Sequence, residues 1–442
     1  MPAIPDTFVQ WVRAAAPFIH VFRGCTFVIA FGGEVVADGR FAEIVQDLNL
    51  LASLGVGLVL VHGTRPQIDA LLEERGVRPR YVNGVRVTDE ATLKCVTEAN
   101  GRVRVEVEAL LSMGRPNSPM ANSTIRVASG NFVVARPRGV VDGVDLQYAG
   151  EVRKVNAEML RARLADGEIA LVSPLGYSPT GEIFNLTLED VAAAAATALC
   201  ADKLIFLQEG PGVTSAKGDL LKELTVSDAE RLMLRPSRLP SDVQLYLPPA
   251  IEAVKKGVRR AHFIDRDREG ALLLELFSRE GVGSMLTQDP LETLRAAQIE
   301  DVGGVLHLIE PLEREGVLVK RGRELLEREI DHFYVIEHDG IIIGCGALYP
   351  FPESRSAELA CLAVQPDRRD AGVGERLLEF IEDEARRRRF LRLFVLTTRT
   401  AHWFIERGFA EASVDDLPAK KQTSYNLQRN SKVLTKSLKG GR

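Results

Sequence analysis

Residues 357–374 read AELACLAVQPDRRDAGVG, and this stretch decides the fold of the C-terminal half of the chain. Its apolar part, Leu359–Val364, predicts a buried strand. The glycine-containing end leads into an amphipathic helix over 372–388, and a second apolar strand follows at Leu391–Thr397. The order strand, loop, helix, strand predicts one compact α/β unit.

The loop itself, Arg369-Asp370-Ala371-Gly372-Val373-Gly374, has the composition of a pyrophosphate-binding turn. Glycines let the backbone approach a phosphate closely, and the N-terminus of the following helix adds N–H groups and a positive dipole. Arg368 and Arg369 add positive charge beside it. Because a single glycine-rich turn is common, this prediction depends on the flanking strands as well.

The sequence on both sides extends this unit. Upstream, Phe333–Glu337 and Ile341–Leu348 flank His338-Asp339-Gly340, which predicts a β-hairpin. Downstream, residues 402–407 predict a short helix and Ser431–Leu438 a last strand. These elements predict an α+β domain.

A break in the pattern separates this domain from the rest of the chain. Gly281 and the turn Gln288-Asp289-Pro290 interrupt the helical stretches. We therefore divide the chain into residues 1–285, a linker over 286–294 and a C-terminal domain over 295–442. A domain of about 150 residues is large enough to have its own hydrophobic core.

Before the break, short apolar strands alternate with helical stretches. Strands are predicted at residues 26–31, 57–61, 169–172, 203–207 and 260–264. The alternation predicts an αβα sandwich around a mainly parallel sheet. Residues 112–125 and 128–141 predict a loop and a β-ribbon inserted into this domain.

The composition of the 442 residues narrows the class of protein. The net charge of −5 offers no general nucleic-acid surface, and no stretch reaches the ~18–20 uncharged apolar residues of a membrane span. The N-terminus lacks the apolar core of a signal peptide. The five cysteines and seven histidines show neither a CxxC pair nor metal-ligand spacing, so we expect a cytoplasmic protein without a metal.

With the RxxGxG loop preceded by Leu359–Val364 and followed by Trp403-Phe404-Ile405-Glu406-Arg407-Gly408-Phe409, residues 295–440 resemble the GNAT acetyltransferase superfamily. The resemblance implies that acetyl-CoA is a co-substrate and that its pyrophosphate binds the loop. It also implies that two central strands separate and that the pantetheine arm bonds to the backbone of Leu362 and Val364. A backbone N–H there would polarise the thioester carbonyl.

Acetyl transfer to an amine needs a base, because an α-amino group is mostly protonated near neutral pH. Glu358, at the start of the cofactor-binding strand, is the candidate base, and the alternative is a solvent-facing strand carboxylate. Thr397 or Thr398, at the end of the neighbouring strand, is the candidate donor to the departing thiolate. Cys361 is a further candidate, for which a buried structural thiol is the stronger interpretation.

The N-terminal domain resembles the amino-acid kinase family, and in particular its acetylglutamate kinases. The resemblance is carried by residues 29–34, 60–63, 185–190, 201–207, 262–265 and 272–277. Three departures stand out: Ala30 replaces a lysine, Arg65 replaces a glycine, and Tyr246-Leu247-Pro248-Pro249 lacks a second lysine before a helix over 251–256. Phosphoryl transfer depends on positioned positive charge, so we predict that this domain does not catalyse it.

An amino-acid-kinase-like domain joined to a GNAT domain, with His-Gly-Thr-Arg-Pro-Gln-Ile-Asp at 62–69, resembles the bacterial N-acetylglutamate synthase family. The resemblance implies acetyl transfer from acetyl-CoA to L-glutamate, the first step of arginine biosynthesis, with feedback inhibition by L-arginine. It implies that Lys320, Arg321 and Arg429 hold the carboxylates of glutamate, which the forked guanidinium group of arginine fits well. A solvated surface charge is the alternative for each of them.

The resemblance also implies an arginine site at Glu275 and Gly281, against an N-terminal helix over 8–18. The alternative for Glu275 is a place in an ordinary core helix. In this family the N-terminal helix packs subunits together, so a homo-oligomer is expected, a hexamer by resemblance. Three other functions remain open: a kinase with an appended GNAT unit, an arginine sensor with a vestigial GNAT unit, and an acetyltransferase for another amino acid.

Overall fold

The computed structural model of the chain describes residues 6–114, 120–278 and 280–438. The chain divides into two compact units, Met1–Asp289 and Pro290–Arg442. No helix in the described ranges is long and apolar enough to span a membrane. Within the same ranges, no three His, Cys, Asp or Glu side chains are grouped so that they could bind a metal ion.

The N-terminal unit contains sixteen strands in the described residues. They are β1 (Thr26–Phe31), β2 (Gly57–His62), β3 (Tyr81–Val82), β4 (Val85–Arg86), β5 (Arg126–Ser129), β6 (Val133–Pro137), β7 (Val140–Val141), β8 (Val144–Asp145), β9 (Gly150–Val155), β10 (Glu168–Val172), β11 (Leu175–Tyr177), β12 (Ile183–Asn185), β13 (Lys203–Gln208), β14 (Glu223–Thr225), β15 (Arg260–Asp265) and β16 (Ser284–Thr287).

Its helices are α1 (Asp6–Phe22), α2 (Gly33–Ala37), α3 (Phe41–Ser53), α4 (Arg65–Glu74), α5 (Glu90–Leu111), α6 (Ala157–Ala165), α7 (Leu188–Leu199), α8 (Val226–Met233), α9 (Ser241–Lys255) and α10 (Ala271–Phe277).

An eight-stranded sheet, in the order β14-β16-β15-β13-β1-β2-β10-β5, forms the centre of this unit. Each neighbouring pair is parallel except β15 and β16. Side chains of β1 alternate between two cores: Val28 and Ala30 pack with α7 and α9, whereas Phe27 and Ile29 pack with α3 and α10. The strand therefore has the period of two that a sheet covered on both faces requires, and the predicted αβα sandwich is confirmed.

Two local predictions in this unit differ from the structure. The stretch 128–141 is not one ribbon, because β5 is an edge strand of the main sheet and β6 belongs to a four-stranded sheet in the order β12-β11-β6-β9. The segment Tyr246–Pro249 does not precede a helix but lies inside α9, which begins at Ser241. Buried residues at helical spacing along α9, among them Val243 and Leu247, hold the helix together despite its two prolines.

The C-terminal unit has the strands β17 (Glu292–Ala296), β18 (Phe333–His338), β19 (Ile341–Phe351), β20 (Ser356–Val364), β21 (Arg392–Thr397), β22 (Ala410–Ala412) and β23 (Lys432–Ser437). Its helices are α11 (Val302–Arg314), α12 (Arg323–Glu329), α13 (Val373–Arg387), α14 (Ala401–Ile405) and α15 (Ala419–Thr423).

These seven strands form one sheet in the order β17-β18-β19-β20-β21-β23-β22, in which β20 and β21 are the parallel pair. Helix α13 packs on one face through Leu377 and Ile381, and α11 packs on the other through Val305 and Ile309. This arrangement is the predicted α+β domain. The residues assigned to a linker, 286–294, include the end of β16 and the start of β17.

Candidate functional site

Strands β20 and β21 are paired at one end and separate at the other. Their first four residues pair in parallel, yet β20 continues to Val364. The N–H of Gln365 donates to the carbonyl of Ile343 on the β19 side at 2.9 Å. Because backbone groups alternate between the edges of a strand, those of Val364 point to the opposite, open edge. Leu362 and Val364, the residues predicted to bind the pantetheine arm, lie on this part of β20.

The predicted pyrophosphate loop, Arg369-Asp370-Ala371-Gly372-Val373-Gly374, connects β20 to α13. Its first residues complete a 3₁₀ turn over Pro366–Ala371, and Gly372, with φ of 72°, begins the helix from the left-handed region that glycine favours. The N–H groups in the first turn of α13 have no carbonyl partners within the helix. Together with the exposed Arg369, they form a place suited to an anion.

A β-bulge distorts β20 beside the open edge. Cys345 of β19 pairs with Ala363 and Ala347 pairs with Ala360, so β20 has one extra residue between these pairs. Cys361, in the bulge, has φ of 54°. Bulges near active sites re-aim backbone and side-chain groups. Burial raises the pKa of the Cys361 thiol to about 11, so the group stays a thiol near neutral pH, in keeping with a structural role.

Glu358, the candidate base, is 6% exposed and lies on β20 opposite Tyr349 of β19 and Phe394 of β21. A buried carboxylate needs a partner, and Nζ of Lys421 lies 2.7 Å from its Oε2. The hydroxyl of Tyr349 donates to Oε2 of Glu329 at 2.6 Å. Glu358 is therefore a buried carboxylate among partly buried polar groups and is not a solvent-facing carboxylate.

Of the substrate anchors expected from the sequence, Arg321 lies near this cluster. Arg321 is half-buried and close enough to Glu358 to interact with it electrostatically. A guanidinium N–H of Arg429 donates to the carbonyl of Val317, a few residues before Arg321 in the chain. Nε of Arg429 is buried and has no hydrogen-bond partner in the described part of the chain. Lys320 is exposed, which favours the surface-charge interpretation for it.

The structure does not bring Thr397 to Glu358. Along β21, Leu393 and Val395 pack against α13, and Thr397 lies on the same face, whereas Phe394 beside Glu358 faces the other way. The Thr397 hydroxyl accepts a hydrogen bond from the N–H of Thr400 at 3.1 Å. Its position thus serves the turn into α14, and Thr398 is exposed at that turn.

Sequence reasoning missed Lys421 and Tyr349. Tyr349 is the cross-strand neighbour of Glu358, so the register of the β19–β20 pair would have located it. Lys421 lies in α15, more than sixty residues after Glu358, and nothing in the sequence pattern links the two.

Comparison with known proteins agrees with both halves of this architecture. Residues 26–265 match the amino acid kinase family, and residues 303–409 match the acetyltransferase (GNAT) family. An amino-acid acetyltransferase from Ralstonia nicotianae is 52% identical over 441 residues, which are 99% of this chain and 97% of the relative. The chain belongs to the amino-acid acetyltransferase family. A relative of the same name from Pseudomonas putida is also 52% identical and covers 98% of this chain and 100% of its own.

Solved structures extend the comparison to three dimensions. The N-acetylglutamate synthase of Neisseria gonorrhoeae complexed with coenzyme A and L-arginine has a TM-score of 0.90 and 39% identity, over 98% of this chain and 100% of that one. The same synthase complexed with coenzyme A and N-acetyl-glutamate has a TM-score of 0.63 over the same shares of the two chains. The predicted family and the predicted fold are therefore both confirmed.

In this amino-acid acetyltransferase, the kinase-like unit retains a cleft without the expected lysine. Ala30 of β1 is fully buried, so no charge is present at the position where the kinases have a lysine. Gly32, Gly63 and Arg65 line a cavity of about 110 Å³ at the carboxyl ends of β1 and β2. A Cβ on Gly63 would lie 3.0 Å from the backbone nitrogen of Gly33, so the two turns pack against each other. The cleft therefore lacks the lysine that the kinase resemblance implies at position 30.

Glu275, the residue expected to bind arginine, lies in α10 and is 8% exposed. Its Oε1 lies 2.8 Å from Nδ1 of His262, and its Oε2 accepts from the N–H groups of Val282 and Gly283 at 2.7 and 2.8 Å. Gly281 has φ of 60°, and a Cβ there would lie 2.5 Å from the same oxygen. Both the conformation and the space therefore require glycine at position 281.

His262 connects Glu275 to Lys203, whose Nζ lies 3.1 Å from Nε2 of the ring. A lysine ammonium can only donate, so Nε2 accepts, and the neutral ring donates from Nδ1 to Glu275. Burial and the Lys203 ammonium lower the pKa of His262, in keeping with a neutral ring. Burial opposes charge on Glu275, but hydrogen bonds from His262, Gly283 and Val282 outweigh it and lower the pKa of the carboxyl. Phe22 of α1 lies beside Lys203.

Proposed function

We propose that this acetyltransferase transfers the acetyl group of acetyl-CoA to the α-amino group of L-glutamate, giving N-acetyl-L-glutamate and CoA. We further propose that L-arginine inhibits it by binding in the N-terminal unit. The observation that carries the proposal is the polar cluster on β20, where the buried carboxylate of Glu358 pairs with Lys421 and lies near Arg321. Relatives at 52% identity are amino-acid acetyltransferases, and the similar Neisseria structures contain coenzyme A, N-acetyl-glutamate and L-arginine.

Acetyl-CoA is assigned to the open edge and the loop. The pyrophosphate accepts from N–H groups at the start of α13, beside Arg369. The pantetheine arm runs along β20 and bonds to the backbone of Leu362 and Val364, and the backbone of Val364 points away from β19. The thioester carbonyl then lies near the bulge at Cys361, where a re-aimed backbone N–H stabilises the developing oxyanion.

Glutamate is assigned to the side of the sheet that carries Glu358. Arg321 and Arg429 each present N–H donors in the planar arrangement that matches a carboxylate. Because Nε of Arg429 is buried without a partner in the described structure, a bound carboxylate would satisfy a donor that the folded chain leaves unused. Two arginines for two carboxylates favour an acidic amino acid over a neutral one.

The chemistry requires a neutral amine at the thioester. Glu358 accepts a proton from the ammonium of glutamate, and the freed nitrogen attacks the carbonyl carbon. The C–S bond of the tetrahedral intermediate then breaks, the attacking nitrogen loses its extra proton to give the amide, and the thiolate of CoA takes up one proton, so that protons balance. Thr397 is not proposed as the donor of the proton to the thiolate, because its hydroxyl lies on the face of the sheet opposite to Glu358.

Arginine is assigned to the chain Lys203–His262–Glu275. It is a zwitterion with a guanidinium at its far end, so the carboxylate of Glu275 can pair with the guanidinium and Lys203 with the α-carboxylate. Phe22 places α1 beside this site, as expected from the sequence. Binding there inhibits only if the protein has two states with unequal affinity for arginine.

We also propose that the chain forms a homo-oligomer through α1 and works in the cytoplasm. Three apolar side chains of this helix, Val9, Trp11 and Val12, are each at least 40% exposed, and an exposed apolar stripe is a common basis for subunit contact. None of the five cysteines forms a disulfide, in keeping with a reducing compartment.

The test is release of free thiol from acetyl-CoA by the purified full chain. The acceptors are L-glutamate, L-aspartate, L-glutamine and water, each with and without L-arginine. We expect release that depends on L-glutamate and falls when L-arginine is added. Release with glutamine in preference to glutamate would contradict the acceptor assignment, and binding of acetyl-CoA without any transfer would contradict the activity.

A further inference from the structure

Two successive lysines of α15 have different environments. Lys421 is 23% exposed at its side chain and pairs with the buried Glu358, whereas Lys420 is 74% exposed and pairs with Glu353 on the surface. A surface pair contributes little to stability, but a partly buried pair holds both groups in place. Only the first pair touches the proposed catalytic carboxylate.

The position of Lys421 is fixed by the segment around it. The N–H of Lys421 donates to the carbonyl of Pro418 at 2.7 Å, and the side chain of Gln422 donates to the carbonyl of Leu417 at 2.8 Å. Leu417 is 4% exposed and packs against Phe394, the β21 neighbour of Glu358. Helix α15 is therefore anchored on the same sheet face as the carboxylate, and the ammonium is held where it is.

We propose that Lys421 is a positioning residue for the acetyl transfer: its ammonium orients the carboxylate of Glu358 so that the free oxygen faces the substrate ammonium and can accept a proton. The inference rests on the proposed function. The ion pair is made through Oε2, which assigns the proton transfer to Oε1. There an O–H bond forms as one N–H bond of the substrate ammonium breaks. The Lys421 ammonium keeps its own protons throughout.

Other charged groups face the carboxylate from the surrounding elements. Arg321, before α12, interacts electrostatically with it, and Glu329 of α12 is bonded to Tyr349 on β19. In the proposed reaction, the guanidinium of Arg321 binds a carboxylate of the acceptor. It is then not available to pair with Glu358. Lys421 is thus the cation that remains with Glu358 when the acceptor carboxylate takes up Arg321.

The inference is tested by kcat and by KM for L-glutamate in the full chain and three variants. In Lys421→Met the aliphatic stem is kept and the charge is lost. We expect kcat near pH 7 to fall about tenfold while KM changes little, because a carboxylate that is no longer oriented slows the proton transfer without removing the substrate anchors. Lys421→Arg should restore most of the activity, and the matched control Lys420→Met should behave as the wild type.

The affinity for acetyl-CoA should stay within about twofold in all three variants, because Lys421 lies apart from the pyrophosphate loop. A Lys421→Met protein with the wild-type kcat would overturn the inference while leaving the proposed function intact. If that variant melts well below the wild type, Lys421→Gln replaces it, and an unchanged kcat there is equally decisive. A wild type that transfers no acetyl group to any amino acid would overturn the proposed function, and this inference with it.

Discussion

Nδ1 of His262 lies 2.8 Å from Oε1 of Glu275 in the interior of the N-terminal unit. On its other side, the same ring meets the ammonium of Lys203. The imidazole therefore separates one fixed positive charge from one fixed negative charge, each inside the protein. In the proposed function, these are the charges that pair with the carboxylate and the guanidinium of L-arginine.

Glu275→Gln should relieve inhibition by arginine and leave the uninhibited rate unchanged. The substitution keeps the shape of the side chain and removes the charge that would pair with the guanidinium. A hydrogen bond to a charged group contributes about 1.5–3 kcal/mol, so the inhibitory concentration of arginine should rise roughly ten- to a hundredfold. The control is Glu280→Gln, on a surface carboxylate that pairs with Lys222. Equal sensitivity of both variants to arginine would place the inhibitor elsewhere.

Acid should destabilise the N-terminal unit partly through His62. Burial lowers the pKa of this histidine from 6.5 to about 4, so the unfolded chain binds the proton more readily. The neutral histidine contributes about 3 kcal/mol to the free energy of unfolding above pH 6.5. That contribution is lost as the pH falls from 6.5 towards 4. We expect the free energy of unfolding in urea to be lower at pH 5 than at pH 7.

The variant that isolates this effect is His62→Gln, which can still bond to Ser173, the partner of His62 at 2.8 Å. Between pH 7 and pH 5, the free energy of unfolding of this variant should fall by about 2 kcal/mol less than that of the wild type. His262, whose pKa is also lowered by burial, acts with the same sign and stays in both proteins. Identical losses in the two proteins would show that His62 does not titrate as its burial indicates.

Glu358→Gln should lower kcat by at least about a hundredfold, the usual contribution of a positioned base. The affinity for acetyl-CoA, measured by calorimetry, should not change, because the cofactor is held by backbone groups and the loop. Glu353→Gln is the matched control, since that carboxylate is exposed and pairs with the surface residue Lys420. A fully active Glu358→Gln protein would remove Glu358 from the mechanism.

Gly372→Ala should weaken acetyl-CoA binding. A Cβ on Gly372 meets no atom within 4 Å, so space is not the difficulty. The residue has φ of 72°, where alanine costs about 1–2 kcal/mol, and the loop should shift to relieve that strain. The dissociation constant should rise roughly fivefold or more. The control is Gly408→Ala in the same unit. Gly408 has φ of 85°, so alanine has a similar backbone cost there, but the residue lies outside the loop and the variant should bind acetyl-CoA normally.

The order of strands and helices could be predicted from the sequence because hydrophobic periodicity is a local property. The side chains of β1 that face the two cores in alternation, and the apolar face of α13, can both be read from the spacing of apolar residues in the sequence. Where long-range packing overrides a local signal, prediction fails: Pro248 and Pro249 are helix breakers by composition, yet α9 continues through them because its buried face has partners.

The site was predictable only in part, for the same reason. Glu358 and the loop at 369–374 lie near each other in the sequence, so a local pattern contains both. The ion pair of Glu358 with Lys421 joins residues on separate elements, and so does the bond of Lys203 to His262. The placement of Thr397 also depends on the register of two strands, which decides the face on which its hydroxyl lies.

The separation of β20 and β21 has a consequence for how the protein behaves without its cofactor. A gap in the middle of a sheet exposes a row of free backbone donors and acceptors, which any extended peptide can recruit as a template. Bound acetyl-CoA would occupy that gap and cover these backbone groups. Bound acetyl-CoA should therefore reduce aggregation. Protein without acetyl-CoA should precipitate at a lower temperature on warming than protein with acetyl-CoA bound.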